Sequence, residues 1–232
     1  MRDATAYGKE PVQGDEGRLP FQVPRGDELD SETGLPAYMG EDSLTLNIFT
    51  PTCEPAAGNG PLPVLFYIYG RGFNNGAGSL PTYDGTRLAN RQGGAVVVAI
   101  NYRLGGLGFL YKPGGDIPAN LGLLDMLAAL RWVQKEIAAF GGDADRVTIF
   151  GESAGGMACG ALLGTPLSKG LFSGAISISG SASAAQSEAS AGTSANALAT
   201  ELEIPYGTDS HHQHCCNCCT ENLNQSAVLC VA

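Results

Sequence analysis

A chain of 232 residues with 44% hydrophobic and 16% charged side chains has the apolar content to bury a substantial core, which excludes an intrinsically disordered polypeptide. Its net charge of −10 argues against nucleic acid or an anionic membrane surface as a partner, since both call for a cationic face. Every apolar run is broken by Arg, Lys, Asn or Gly before it reaches membrane-spanning length, and the opening Met1–Thr5 carries no apolar signal-peptide core.

Residues 1–40 are rich in Pro, Gly, Asp and Glu without a sustained period and read as loop. Leu44, Leu46 and Ile48 then alternate with polar residues, so Ser43–Thr50 is expected to be a half-buried strand ended by Pro51. Residues 52–62 read as a turn or loop. Val64–Tyr69 and Ala95–Asn101 are short apolar runs rich in β-branched and aromatic residues, the signature of strands covered on both faces. Arg146–Phe150 and Ala175–Ser179 are two further candidates. Helical spacing of Leu124, Leu127, Ala128, Leu130 and Trp132 predicts a helix over Leu121–Phe140, stopped by Gly141-Gly142. A second helix is expected from the Ser153 region toward Leu163, and a third over Ser194–Leu202, with Ser194 as N-cap and Pro205 beyond its end. Strands alternating with helices predict an α/β fold with a largely parallel sheet.

The chemistry concentrates in residues 146–163, RVTIFGESAGGMACGALL. Within it, Gly151-Glu152-Ser153-Ala154-Gly155 is a G-x-S-x-G motif that follows a β-rich run and precedes a helical one, the context this motif needs. A strand that turns sharply into a helix leaves the central serine strained, with its hydroxyl exposed above the sheet. Glycines two positions before and after leave room for that turn. The helix start supplies backbone N–H groups and the positive end of a dipole, and the Ala154 N–H is expected to face the oxygen that gains charge in acyl transfer.

Several stretches in order resemble the type-B carboxylesterase and cholinesterase family: GEDSLTLNIFTP (40–51), PVLFYIYGRGFNNGAGS (63–79), YDGTRLA (83–89), AVVVAINYRLGGLGFL (95–110), residues 120–156 through GESAGG, and SKGLFSGAISISGSA (168–182). The resemblance runs from about Arg2 to about Ile204. It implies an α/β-hydrolase fold with a mostly parallel central sheet flanked by helices, and hydrolysis of small carboxylic esters through an acyl-enzyme, with no cofactor. It further implies Ser153 as nucleophile, Gly72 and Ala154 as oxyanion-hole donors with Arg71 beside them, Glu152 as the acid next to the nucleophile, Ser179 as a serine supporting the triad acid, and Arg103–Asp125 as a structural ion pair.

Two departures from the family pattern stand out. The oxyanion loop, usually three consecutive glycines after His or Tyr, here reads Tyr69-Gly70-Arg71-Gly72-Phe73. If position 71 needs a positive φ, a side chain there costs about 1–2 kcal/mol. The second departure is the base. In this fold the triad runs Ser, then Asp or Glu, then His. All three histidines (His211, His212 and His214) lie near the C-terminus, and Glu188, Glu201 and Glu203 match no triad motif of the family. The family domain is therefore expected over residues 1–204, incomplete, with unpaired sheet edges that favour self-association.

Residues 205–232 are expected to be an irregular, non-family tail. Five of the seven cysteines, Cys215, Cys216, Cys218, Cys219 and Cys230, fall there beside the histidines. These ligand types suit a soft metal, but their spacing matches no zinc module, so no metal site is assigned. Two functions are carried forward. One is a serine carboxylic ester hydrolase lacking its triad acid and histidine; the other is a catalytically inactive, cholinesterase-like binding protein.

Overall fold

The computed structural model describes residues 6–13, 29, 31, 36–51, 60–111, 118–181, 185 and 187–201, together with the backbone of 227–231. One sheet organises them. Its strands are β1 (Thr45–Phe49), β2 (Leu62–Ile68), β3 (Val96–Ile100), β4 (Gly142–Glu152), β5 (Gly174–Ile178) and β6 (Ala227–Val231), in the spatial order β5-β4-β2-β3-β1-β6. β2, β3, β4 and β5 run parallel to one another, β1 is antiparallel to β3, and β6 is parallel to β1. The sheet is thus mostly parallel with one antiparallel junction.

Helices α1 (Thr86–Ala89), α2 (Gly105–Phe109), α3 (Leu121–Glu136), α4 (Ala154–Gly164) and α5 (Glu188–Glu201) complete the regular elements. The main core lies on one face of the sheet. There Val64, Phe66 and Ile68 of β2, Val96, Val98 and Ile100 of β3, and Val147 and Ile149 of β4 meet Met126, Leu127, Leu130 and Val133 of α3 and Cys159 and Leu162 of α4. Each buried Val, Leu or Ile stabilises by about 1.5–3 kcal/mol. The opposite face holds a smaller cluster of Phe49, Ala89, Val97 and Ala99, with Leu65 and Tyr67 packed against it.

The strands expected from apolar runs are all present, with β4 starting four residues before Arg146. β1 departs from expectation in its burial: all five residues are buried rather than alternate ones. The N-terminal segment seals its polar side, since a Cβ on Gly8 would lie 2.7 Å from Thr45 Cγ2. Asn101 Nδ2 adds donations to Ser43 O at 3.0 Å and Thr45 Oγ1 at 3.2 Å.

α3 ends at Glu136 and tightens into a 3-10 turn over Ile137–Phe140, closed by Gly141 at φ 77°. α5 begins at Glu188, not near Ser194. Ser187 caps it, its Oγ accepting the Ser190 N–H at 3.2 Å, while Ser194 sits inside the helix and donates back to Ser190 O at 3.3 Å. A run of small residues, EASAGTSANALATE, hides this start because it has almost no apolar stripe.

The tail departs from expectation at its end. Ala227–Val231 forms strand β6, paired in register with β1, where an irregular segment is expected. The run AVLCV has the apolar, β-branched content of a strand. The three histidines, Glu203 and Cys215, Cys216, Cys218 and Cys219 lie outside the described residues. At the other end of the sheet, β5 is the last strand, and among the described residues nothing pairs with its outer edge. Its Ile176 and Ile178 are about half exposed, at 50% and 49%.

Candidate active site

Ser153 stands between β4 and α4 at φ 56° and ψ −122°. An L-residue avoids this region because its Cβ meets the backbone, so the surroundings must over-determine it. They do so from both sides. The Ser153 N–H donates to Ile178 O at the end of β5, at 2.8 Å, and Ser153 O accepts the Met157 N–H at 2.9 Å, starting α4.

The motif glycines are forced by contact. A Cβ on Gly151 would come within 2.5 Å of Gly155 C and 2.6 Å of Ile68 O, and one on Gly155 would overlap the Ile68 carbonyl oxygen. The first turn of α4 therefore rests directly on the end of β2. Gly156 is fixed similarly, since a Cβ there would meet Ile178 O at 2.8 Å.

Ala154, nearly fully buried, is the first residue of α4. Its N–H is among the first four of the helix, which have no intrahelical acceptor and remain available to an anion. Glu152 ends β4 with an exposed side chain, and its carboxylate lies against the loop opposite, 3.2 Å from where a Gly70 Cβ would be. The same Cβ would lie 3.2 Å from Ser153 Cβ, so Gly70 abuts Ser153.

The loop after β2 carries three successive left-handed residues: Arg71 at φ 69°, Gly72 at 66° and Phe73 at 63°. Position 71 does require a positive φ, and arginine there bears the strain. Gly72 is exposed, and a Cβ there would make ordinary van der Waals contact with Asn74 Nδ2 at 3.7 Å. Gln13 clamps the loop's return, its Oε1 accepting the Gly76 N–H at 2.6 Å and its Nε2 donating to Gly76 O at 3.0 Å. No signal in the sequence marked Gln13 for this task.

A tyrosine cluster underlies the loop. Tyr69 and Tyr102, both fully buried, stack with ring centroids 4.4 Å apart, and burial pushes both phenols well above their ordinary pKa. Tyr83 lies 5.1 Å from Tyr67, and each is also raised chiefly by burial. The charge of half-buried Arg71 opposes that rise at Tyr83. Removing the charge in Arg71→Gly should accordingly move the Tyr83 pKa further up. Titration of ¹³Cζ-labelled tyrosine by NMR reads this directly, and a downward shift would show that the charge does not favour the phenolate.

Ser179 follows β5 at φ 53° with an exposed side chain. Ser177 also touches the elbow, its Oγ donating to Gly156 O at 3.0 Å and lying 2.7 Å from Gly180 O. Arg103 and Asp125 form the expected ion pair. Arg103 Nε donates to Asp125 Oδ2 at 2.8 Å and Nη2 to Oδ1 at 2.7 Å, with the carboxylate side chain 1% exposed. No group of three or more potential metal ligands occurs among the described residues.

Sequence elements, sheet and strained serine together define an α/β-hydrolase. The chain belongs to the carboxylesterase family, whose model matches residues 1–227. It is 49% identical over 157 residues to the fumonisin B1 esterase of Sphingopyxis macrogoltabida, covering 65% of this chain and 28% of that protein. To the para-nitrobenzyl esterase of Bacillus subtilis it is 48% identical over 178 residues, covering 75% of this chain and 33% of that protein. A solved structure of a thermophilic PNB esterase superposes with a TM-score of 0.74 at 40% identity, over 94% of this chain and 41% of that one. The chain thus spans about a third of the length of the curated relatives it matches.

Proposed function

We propose that this chain carries the nucleophile half of a serine carboxylic ester hydrolase. Ser153 Oγ attacks the carbonyl carbon of a small ester. The carbonyl oxygen becomes an anion that accepts N–H donations from Ala154, Gly72 and Arg71. Collapse expels the alcohol and leaves an acyl-enzyme on Ser153, which water then hydrolyses. The observation that carries this reading is the φ 56°, ψ −122° conformation of Ser153 at the strand–helix junction. Two similar proteins that are named as esterases support it.

A serine hydroxyl is a poor nucleophile near neutral pH without a positioned base. Among the described residues there is no histidine. On this reading the 232-residue chain by itself turns over a short activated ester such as p-nitrophenyl acetate weakly or not at all, and the little it does turn over disappears in Ser153→Ala. Vigorous hydrolysis abolished by Ser153→Ala would show that a base is in place. Hydrolysis untouched by that substitution would remove Ser153 from the chemistry. Arg71 in the oxyanion loop favours a second reading, a family member that binds small esters and does not cleave them. Saturable ester binding without any acyl transfer to Ser153 separates the two.

The net charge of −10 supports small esters over nucleic acid as partners. The outer edge of β5, with half-exposed Ile176 and Ile178, supports self-association.

A further inference from the structure

The oxyanion loop is held at its carbonyls, two of them within reach of one buried side chain. The Tyr102 hydroxyl donates to Tyr69 O at 2.8 Å and reaches Gly70 O at 3.4 Å. Tyr69 returns a longer donation to Tyr102 O at 3.5 Å. Further along, Arg71 O accepts the Asn74 N–H at 3.2 Å and Phe73 O accepts the Gly105 N–H at 2.8 Å.

A trans peptide is planar, with its C=O and N–H pointing opposite ways. Holding Gly70 O toward the buried Tyr102 hydroxyl therefore turns the Arg71 N–H away from the core. Arg71 O, held by the Asn74 N–H, fixes the peptide plane that carries the Gly72 N–H. Gly70 is also the loop residue against Ser153, so the two carbonyls Tyr102 reaches belong to the peptides flanking the residue beside the nucleophile. Tyr102 is itself well anchored. Its ring stacks on Tyr69, and the next residue, Arg103, gives both its backbone N–H (3.0 Å) and its guanidinium to Asp125.

We infer that Tyr102 is a positioning residue of the oxyanion hole: its hydroxyl, donating to Tyr69 O and in reach of Gly70 O, fixes the peptide planes on either side of Gly70 so that the Arg71 amide that follows faces the acyl oxygen. The inference rests on the Ser153 reading above. It also accounts for how the loop tolerates arginine at 71: the donor is a backbone N–H whose direction is set by the preceding carbonyl, so the side chain that follows is secondary.

Phenylboronic acid tests it without requiring turnover. Ser153 Oγ adds to boron, the hydroxyl proton passes to solvent, and boron becomes a tetrahedral anion with an oxygen in the oxyanion position. Tyr102→Phe keeps the ring stack and removes only the hydroxyl, and is expected to raise the boronate Kd about tenfold or more. Tyr69→Phe, which leaves both carbonyls held, is expected to keep the wild-type Kd. Equal affinity in Tyr102→Phe and wild type overturns the inference, even if Tyr102→Phe unfolds earlier, because a purely structural role moves the unfolding midpoint alone. In the unmodified chain, ¹H–¹⁵N spectra should show the Arg71 amide proton moving downfield on saturation, and an Arg71 amide that stays put overturns it independently of any variant. Boronate affinity unchanged by Ser153→Ala overturns the nucleophile reading, and this inference with it.

Discussion

Gly155→Ala is expected to destabilise the folded chain by at least about 3 kcal/mol in urea unfolding, whereas Gly164→Ala in the same helix leaves it unchanged or slightly more stable. The contrast follows from what each new methyl group meets. At Gly155 it runs into the Ile68 carbonyl oxygen, with Ile68 C at 2.9 Å and Tyr69 C at 3.1 Å. These are backbone atoms of β2 and the residue after it, and β2 is paired on both sides with β3 and β4. Neither can step aside as a flexible side chain would, so α4 must lift away from the sheet. That lift would pull Ser153 off its bond to Ile178. At Gly164 nothing lies within 4 Å of the added methyl. Equal midpoints for the two variants would mean that α4 does not start against β2.

The second large effect belongs to Asp125. Its carboxylate accepts three donations from Arg103, two from the guanidinium and one from the backbone N–H. Asp125→Ala removes the carboxylate that accepts these three donations beside the Arg103 side chain, 13% exposed, and should cost about 3–5 kcal/mol. The double replacement Arg103→Met with Asp125→Leu removes both charges and should cost far less, because a buried pair is stabilising mainly relative to one of its halves. A double-mutant cycle by urea unfolding reads the difference. A double variant as unstable as Asp125→Ala alone would show that packing, and not charge, sets the loss.

Long, uninterrupted patterns were legible in the sequence. β2 and β3 came from apolar runs, α3 from helical spacing, and the elbow from its glycines and the change of period around Ser153. What escaped depends on contacts between distant segments. The burial of both faces of β1 depends on residues near Gly8, over 35 positions away, and on Asn101. The start of α5 escaped because alanine and serine give no stripe, and a serine's capping role is settled by which N–H it meets. Strand β6 escaped because five apolar residues become a strand only when an edge such as that of β1 is offered. At the site, Ser153 and Ala154 were named from motif spacing, and Gly72, Arg71 and Glu152 from the family resemblance. Tyr102 and Gln13 were not, since a hydroxyl or amide that steadies a remote carbonyl leaves no local pattern.

The left-handed backbone at Ser153 sets folding and chemistry against each other at a single position. Glycine would adopt φ 56° freely, so the fold alone would gain by losing the side chain there, by an amount of about 1–3 kcal/mol. On the proposed reading, the hydroxyl is what a side chain at this strained junction supplies.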